Sequence, residues 1–198
     1  MAEKLSPQEK LVTAALAMIE TGGWRALSLA QLARQSHVPL ETVYQLCPDK
    51  HALLKLIGAS IDVAALKRMS DPGDKAPARD RAFDAVMTCF EAMAPYKPAL
   101  KVIHAETRSD PGSWLEAAPV LVRSAQWIAD SAQLPTAGLQ GFAATRGIAA
   151  LLAETIGIWL ADGEDLSKTM AHVDRRLRLV ESWVGTLTRT KDEKPPSD

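Results

Sequence analysis

The chain has 198 residues, of which 47% are hydrophobic and 24% are charged, with a net charge of -1 and a pI near 6.4. This composition predicts an ordinary soluble protein with one or two compact units. It excludes a strongly basic nucleic-acid domain, for which the pI exceeds about 9. Any affinity for DNA must therefore come from local charge.

The composition also bears on location and on membrane spans. Cys47 and Cys89 have no metal-ligand spacing, so we expect two reduced core cysteines in a cytoplasmic protein. The polar N-terminus lacks the apolar run of a secretory signal. The longest apolar candidate, residues 147–161, is interrupted by Glu154 and is shorter than the roughly 20 residues that span a bilayer. We therefore expect a protein that is not transmembrane.

The first predicted helix begins at Ser6, which with Glu9 forms a capping box that has Pro7 at the first helical position. Gly22 and its glycine neighbour are expected to end this helix. Trp24 follows directly, and we expect it to pack between this helix and the next two, giving all three a shared core.

Two short amphipathic helices come next. Ser28 and Gln31 predict a reciprocal capping box at the start of the first. Pro39 interrupts the pattern and starts the second, and Asp49 is expected to cap the long helix that follows. Two short helices joined by a three- to four-residue turn are typical of a helix-turn-helix, whose second helix can enter the DNA major groove.

This stretch resembles the N-terminal domain of TetR-family transcriptional regulators. The match covers about fifty residues and rests on Ser28, Leu32, Ala33, Val38, Thr42, Tyr44, Lys50, Leu53 and Leu54. The chain departs from the family pattern at His37, Pro39, Glu41, Leu46 and Cys47. Glu41 matters most, because a carboxylate repels phosphate, although it can accept a hydrogen bond from a cytosine amino group.

The resemblance implies a homodimer that binds palindromic double-stranded DNA. Tyr44 and Lys50 would contact phosphates, Thr42 and Gln45 would face base edges, and Arg34 would add positive charge. Residues 1–57 carry six Lys or Arg and five Asp or Glu, so their net charge gives little support to phosphate binding. A purely structural role for three capped helices is the alternative for this stretch.

The remaining sequence predicts only helices. The long helix after Asp49 should run to about Arg68, a loop should follow at residues 71–77, and Pro119 should break or kink a later helix. Further helices are predicted at residues 78–95, 96–108, 114–134, 138–161 and 166–188. We therefore predict an all-α fold of about nine helices. Its parts would be a helix-turn-helix domain at 1–50, a ligand-binding and dimerisation domain at 51–190 and a disordered tail at 191–198.

No enzymatic constellation is evident in the sequence. The four histidines lack metal-site spacing and no glycine-rich phosphate loop is present, so we expect neither an enzyme nor a metal or other cofactor. Aromatic and methionine side chains in the C-terminal two-thirds could line an apolar cavity for a small effector or a lipid. Ordinary core packing is the alternative for each of the candidates His104, Trp114, Trp127, Phe142, Trp159 and Met170.

A second resemblance covers about twenty residues, 159–177. This segment is similar to the C-terminal end of TetR-like lipid-binding proteins of coenzyme Q synthesis, with an acidic turn, a Thr and a DRR step. The first hypothesis is accordingly a TetR-like repressor, dimeric through its last two long helices and released from its operator by an apolar effector. The alternative is a lipid-binding accessory protein of the same fold that no longer binds DNA.

Overall fold

A computed structural model describes residues 5–69 and 76–192, with the side chains at 111, 113–115 and 180–192 excepted. All regular structure in these ranges is helical, which confirms the all-α prediction and the count of about nine helices. Besides a short 3-10 turn at Ala94–Tyr96, the described helices are Pro7–Gly22 (α1), Leu29–Ser36 (α2), Leu40–Leu46 (α3), Lys50–Arg68 (α4), Ala78–Met93 (α5), Lys97–Thr107 (α6), Pro111–Ser131 (α7), Gly138–Ala161 (α8) and Ser167–Asp192 (α9).

Side-chain caps fix the starts of the first helices where the sequence predicts them. Ser6 Oγ accepts from the Glu9 N–H at 3.3 Å, and the Glu9 carboxylate accepts from the Ser6 N–H at 2.7 Å. Asp49 Oδ1 likewise accepts at 2.7 Å from a backbone N–H in the first turn of α4. Ser28 caps α2, but Gln31 accepts from the Ser28 hydroxyl at 3.0 Å, so the predicted return bond to the Ser28 backbone N–H is replaced. Each cap satisfies donors that a helix start leaves unpaired.

Two helices differ from the sequence prediction. Helix α7 is continuous through Pro119, which is exposed, and it begins one turn earlier than predicted, at a cap made by Asp110. A proline lacks an N–H, so α7 loses one internal hydrogen bond there without ending. Helix α9 continues to Asp192, two residues into the predicted tail, and residues 193–198 lie outside the described ranges.

One hydrophobic core runs through the whole described molecule. Helix α4 joins its two halves, because Leu53 is fully buried, Ile57 is 1% exposed and Ile61 is 6% exposed along one stripe. Each such fully buried side chain contributes about 1.5–3 kcal/mol relative to an exposed one. The largest fully buried side chains elsewhere in this core include Leu11, Ile19, Leu32, Val43, Phe90, Ile128, Trp159 and Val173.

Helix α8 is more uniformly apolar than the sequence prediction allowed. Among the described helices it alone is long and apolar enough to cross a membrane by length and composition. In the fold, Leu151, Leu152 and Trp159 on one of its faces are buried in the common core. Burial of one face in the common core is the pattern of a core helix. Helix α8 resembles a membrane span only in its length and apolar composition.

Candidate DNA-binding face and ligand cavity

The turn between α2 and α3 depends on an unusual backbone conformation at His37. His37 has φ 53° and ψ 34°, in the left-handed region that most residues other than glycine avoid. The following N–H, that of Val38, donates to the Ala33 carbonyl at 3.2 Å and so closes the end of α2. Histidine is among the few side chains enriched in this region, which is how the chain makes the turn where the family pattern has glycine.

Helix α3 presents one polar face to solvent because Val43 is fully buried on the other. Tyr44 is 52% exposed, Gln45 and Glu41 are exposed, and Thr42 is half-buried. The Gln45 amide donates to the Glu41 carboxylate at 3.4 Å. The predicted base-contact and phosphate-contact residues of α3 therefore share a surface, with Thr42 at its edge and Glu41 within it.

Lys50 differs from the other predicted DNA contacts in already having protein partners. Its ammonium donates to the Trp24 carbonyl at 3.1 Å and to the Arg25 carbonyl at 2.7 Å, and lies 5.8 Å from the Trp24 ring centre. A lysine has three N–H donors, so one remains for a phosphate oxygen. Arg34, by contrast, is exposed on α2.

A cavity of about 140 Å³ lies between α4, α5, α6, α7 and α8. Of the six predicted ligand-pocket residues, His104 and Trp159 line it. The lining is almost entirely apolar and includes Leu54, Ile57, Gly58, Ile61, Cys89, Phe90, Met93, Leu100, Ile103, Val120, Leu121, Leu152, Ile156 and Leu160. A concave apolar space with a few polar groups is what small-molecule sites usually offer.

Trp159 and His104 are the two nitrogen-bearing side chains of this lining. Trp159 is fully buried against Phe90, with ring centroids 5.8 Å apart, and its indole N–H has no hydrogen-bond partner among the described residues. Burial, helped by the positive charge of Arg108, lowers the pKa of His104. Its surroundings therefore favour the neutral imidazole, which offers one donor and one acceptor.

Sequence reasoning missed a buried carboxylate beside the cavity. Asp62 of α4 is 4% exposed, and its Oδ1 accepts from the Ser124 hydroxyl at 2.7 Å and from the Trp127 indole at 2.9 Å. Its Oδ2 lies 3.5 Å from the Arg123 Nε. Burial, and secondarily the charge of Asp62, raises the pKa of the Cys89 thiol to about 12. This cluster ties α4 to α7, and its only sequence signal is an acid within an apolar stripe.

Among the predicted pocket residues whose side chains are described, three do not line the cavity: Trp127, Phe142 and Met170. Trp127 turns its indole to Asp62. Phe142 is 59% exposed, with the Arg146 guanidinium 5.1 Å from its ring centre, and Met170 is 39% exposed. The side chain of Trp114 is outside the described set. Composition identified aromatic residues, but only the helix rotation decides which of them face inward.

The residues of the second resemblance hold α8 and α9 together. Asp162 accepts from the backbone N–H of Thr169 at 2.7 Å and from its hydroxyl at 2.8 Å, and the backbone bond is the main reason that the pKa of Asp162 is lowered. Arg176 pairs with Glu154 at 2.8 Å, and Asp174 pairs with Arg178 at 2.7 Å. The acidic turn, the threonine and the charged step thus have local structural partners.

Within residues 5–69 and 76–192, no group of three or more His, Cys, Asp or Glu side chains could hold a metal ion.

Solved structures of TetR transcriptional regulators share this arrangement along nearly their whole length. The regulator from Nitrosomonas europaea superposes with a TM-score of 0.66 at 18% identity, covering 88% of this chain and 98% of that one. The regulator from a Rhodococcus species gives 0.62 at 13% identity, covering 87% and 94%. A TetR variant from Acinetobacter baumannii, solved with minocycline, gives 0.50 at 17% identity, covering 91% and 98%. The chain has the TetR fold.

At these identities the likeness concerns the fold alone, and no family model and no curated protein sequence matches the chain. In this TetR fold, helices α1 to α3 form the head that carries the exposed face of α3. Helix α4 leads from the head into the cavity wall, to which it contributes Leu54, Ile57, Gly58 and Ile61. The fold therefore places both candidate sites along one helix: the exposed face of α3 lies beside the start of α4, and the cavity is lined by the next turns of α4.

Proposed function

We propose that this chain is a TetR-like transcriptional repressor that binds palindromic operator DNA as a homodimer and is released by a small apolar effector. The observation that carries the proposal is the continuity of α4. The helix starts at Lys50, beside the exposed face of α3, and its next turns form one wall of the cavity. A molecule in the cavity therefore touches the helix that carries the head.

The exposed face of α3 supplies the groups that the DNA contact requires. Gln45 can donate to and accept from an adenine edge, and Glu41 can accept from a cytosine amino group. Tyr44, Lys50 and Arg34 would bind phosphates and so set the orientation of the helix in the major groove. Two heads related by a two-fold axis would contact half-sites about 34–36 Å apart.

The proposed dimer interface lies on α8 and α9. Leu139 is 84% exposed and Phe142 is 59% exposed at the start of α8, and Leu179 on α9 is 47% exposed. Further along α8, small exposed residues at Ala143, Gly147, Ala150 and Gly157 leave room for a second helix to come close. A two-fold axis would bury both faces against their copies.

Release from DNA would be a shift between two conformations of the dimer. In one conformation the distance between the two heads matches the half-site spacing on DNA. The other conformation binds the effector more tightly and holds the heads at a distance that does not match this spacing. An effector moves this equilibrium only by its difference in affinity for the two states. Leu54, Ile57 and Gly58 line the cavity and belong to α4. An effector that fills the cavity can therefore shift α4, and with it the position of the head.

The decisive experiment is selection of bound sequences from random duplex DNA by the purified full-length chain, followed by a salt titration on the enriched site. We expect a palindrome whose half-sites lie about one helical turn apart, and an affinity that falls steeply as salt concentration rises. Folded, ligand-free protein that enriches no sequence would overturn the DNA-binding proposal.

The dimer has its own test in Gly147, where an added Cβ meets no other atom within 4 Å. Gly147→Ala should leave the dimer intact, whereas Gly147→Arg should give a monomer by light scattering because its long side chain blocks close helix approach. Both changes replace a helical glycine, which favours the helix by up to about 1 kcal/mol. A Gly147→Arg variant that remains dimeric would exclude this face as the interface.

A further inference from the structure

We propose that the cavity takes an uncharged, largely apolar molecule with one hydrogen-bond-accepting oxygen, and that the indole N–H of Trp159 binds this oxygen. The inference rests on the proposed function only in treating the cavity as the effector site. It adds the chemical class of the ligand and names the residue that selects it.

The first argument is the unsatisfied donor. Trp159 is fully buried, it lines the cavity, and its N–H has no partner in the described part of the chain. Buried polar groups in native proteins nearly always have a hydrogen-bond partner, because an unpaired one loses its hydration without compensation. An acceptor on a bound molecule would supply the missing partner.

The second argument is that the two hydroxyl groups of the lining already donate hydrogen bonds within the protein. The Ser124 hydroxyl donates to Asp62 at 2.7 Å, and the Thr107 hydroxyl donates to the Ile103 carbonyl at 2.6 Å. His104 is only half-buried, so water can satisfy its ring nitrogens. The fully buried Trp159 N–H is therefore the donor with most to gain from an acceptor on the ligand.

The third argument excludes a net charge on the ligand. The described lining contains no Asp, Glu, Lys or Arg side chain. A charged molecule would lose its hydration there without a counter-charge in the wall, which is far more costly than transferring a single carbonyl. The buried carboxylate of Asp62 is held by Ser124, Trp127 and the adjacent Arg123. The Lys97 ammonium lies 5.0 Å from the Trp159 ring centre, but it does not line the cavity and donates to the Asp162 carbonyl at 2.9 Å.

The test uses three compounds of one skeleton and the full-length chain. Ethylbenzene has no polar atom, acetophenone adds a carbonyl acceptor, and α-methylbenzylammonium carries a positive charge and no acceptor. Calorimetric titration gives the dissociation constant of each. Because acetophenone is better hydrated than ethylbenzene, the informative quantity is the ratio of their dissociation constants, compared between proteins.

Trp159→Phe removes the N–H and keeps an aromatic ring in the core. We expect the ratio of the acetophenone constant to the ethylbenzene constant to rise about tenfold in this variant, which corresponds to one net hydrogen bond. His104→Phe is the matched control in the same lining and should leave the ratio unchanged. Ethylbenzene binding in both variants reports that the cavity is intact.

A measurement on the unaltered chain guards against a variant that folds poorly. In the proton–nitrogen spectrum, acetophenone should move one indole N–H proton resonance further downfield than ethylbenzene does, since both rings contribute a ring-current shift but only the carbonyl oxygen accepts a hydrogen bond. Tightest binding by the ammonium compound would overturn the inference, as would an unchanged ratio in Trp159→Phe. These titrations contain no DNA, so their failure is distinct from a failure of operator selection.

Discussion

The backbone N–H of Arg25 donates to the Glu106 carboxylate at 2.8 Å, and the Arg25 guanidinium donates to the Glu106 carbonyl oxygen at the same distance. This pair joins the loop after α1 to α6. On α6, His104 and Thr107 flank Glu106 and line the cavity. Helix α6 therefore touches both the head and the ligand site, independently of α4.

The two Arg25–Glu106 hydrogen bonds can be removed separately. Glu106→Ala removes the acceptor of the Arg25 backbone N–H, and Arg25→Ala removes the donor to the Glu106 carbonyl. Each change should lower the free energy of unfolding by about 1 kcal/mol, the usual worth of a solvent-exposed hydrogen bond. Because different bonds are lost, the double variant should be additive within about 0.5 kcal/mol in urea titrations. Strong non-additivity would mean that the side chains act as one ion pair.

His37 gives a prediction on backbone strain. A non-glycine residue in the left-handed region costs about 1–2 kcal/mol, partly offset in a His37→Gly variant by the greater freedom of glycine in the unfolded chain. His37→Gly should therefore raise the free energy of unfolding by up to about 1 kcal/mol, and β-branched His37→Val should lower it by at least as much. Thermal unfolding of both variants measures this, and a destabilised glycine variant would show that the imidazole contributes a contact.

Lys50 and Arg34 form a matched pair for separating DNA binding from stability. Both changes to alanine should weaken binding to all sequences about equally and lower the salt slope by about one unit each. Only Lys50→Ala should also destabilise the protein, by about 1–3 kcal/mol, because it removes a charged donor from the Trp24 and Arg25 carbonyls. An unchanged salt slope in Arg34→Ala would exclude α2 from the phosphate contact.

Gly58 gives a prediction on the crossing of α4 and α7. A Cβ at Gly58 would lie 2.5 Å from Val120 Cγ1, well inside the contact distance. Gly58→Ala should cost about 1–3 kcal/mol through overpacking. In a Val120→Ala background the same change should be neutral or stabilising, since the clash is gone and alanine favours the helix. Equal destabilisation in both backgrounds would contradict this geometry.

Asp162 makes stability depend on pH. The Thr169 backbone N–H, with its hydroxyl, holds the pKa of Asp162 below its ordinary value of 3.8. A lowered pKa means that the contribution is fully present above the ordinary value and is lost as pH falls through the lower folded value. The stability gap between wild type and Asp162→Ala should therefore be constant above the ordinary value of 3.8 and narrow as the pH falls below it. Glu164→Ala, in the same turn, is the control, and a gap that persists in acid would refute the assignment.

The sequence predicted what local chemistry decides. Ser6, Ser28 and Asp49 marked helix starts correctly because a cap involves residues only two or three positions apart. The limits of α8, Gly138–Ala161, also agree with the prediction. The apolar run of this helix starts after the loop that ends at Ala137 and stops before the turn at Asp162 and Gly163. The TetR fold was predicted through the resemblance of the helix-turn-helix stretch, whose motif residues lie close together in the sequence.

The content of the ligand cavity could not be predicted in the same way. Asp62 meets Ser124 and Trp127 across more than sixty residues of sequence, a pairing that no local pattern indicates. Phe142 and Trp159 occupy one helix, yet one is 59% exposed and the other is fully buried. Which aromatic residue faces the cavity depends on how α8 is rotated against α7 and α9, and that rotation is set by packing between distant segments.

The loop between α1 and α2 is hydrogen-bonded to α6, and this limits which N-terminal segments can be exchanged between proteins of this fold. Exchanging the first fifty residues for those of another protein would remove the hydrogen bond from the Arg25 N–H to Glu106. A Cβ added at Gly23 would lie only 2.5 Å from Oε1 of the same Glu106 carboxylate. A larger residue at that position would be strained by the positive φ of 88° and would displace the Glu106 carboxylate. Successful chimaeras should therefore keep a glycine in this loop or bring α6 along with the transplanted head.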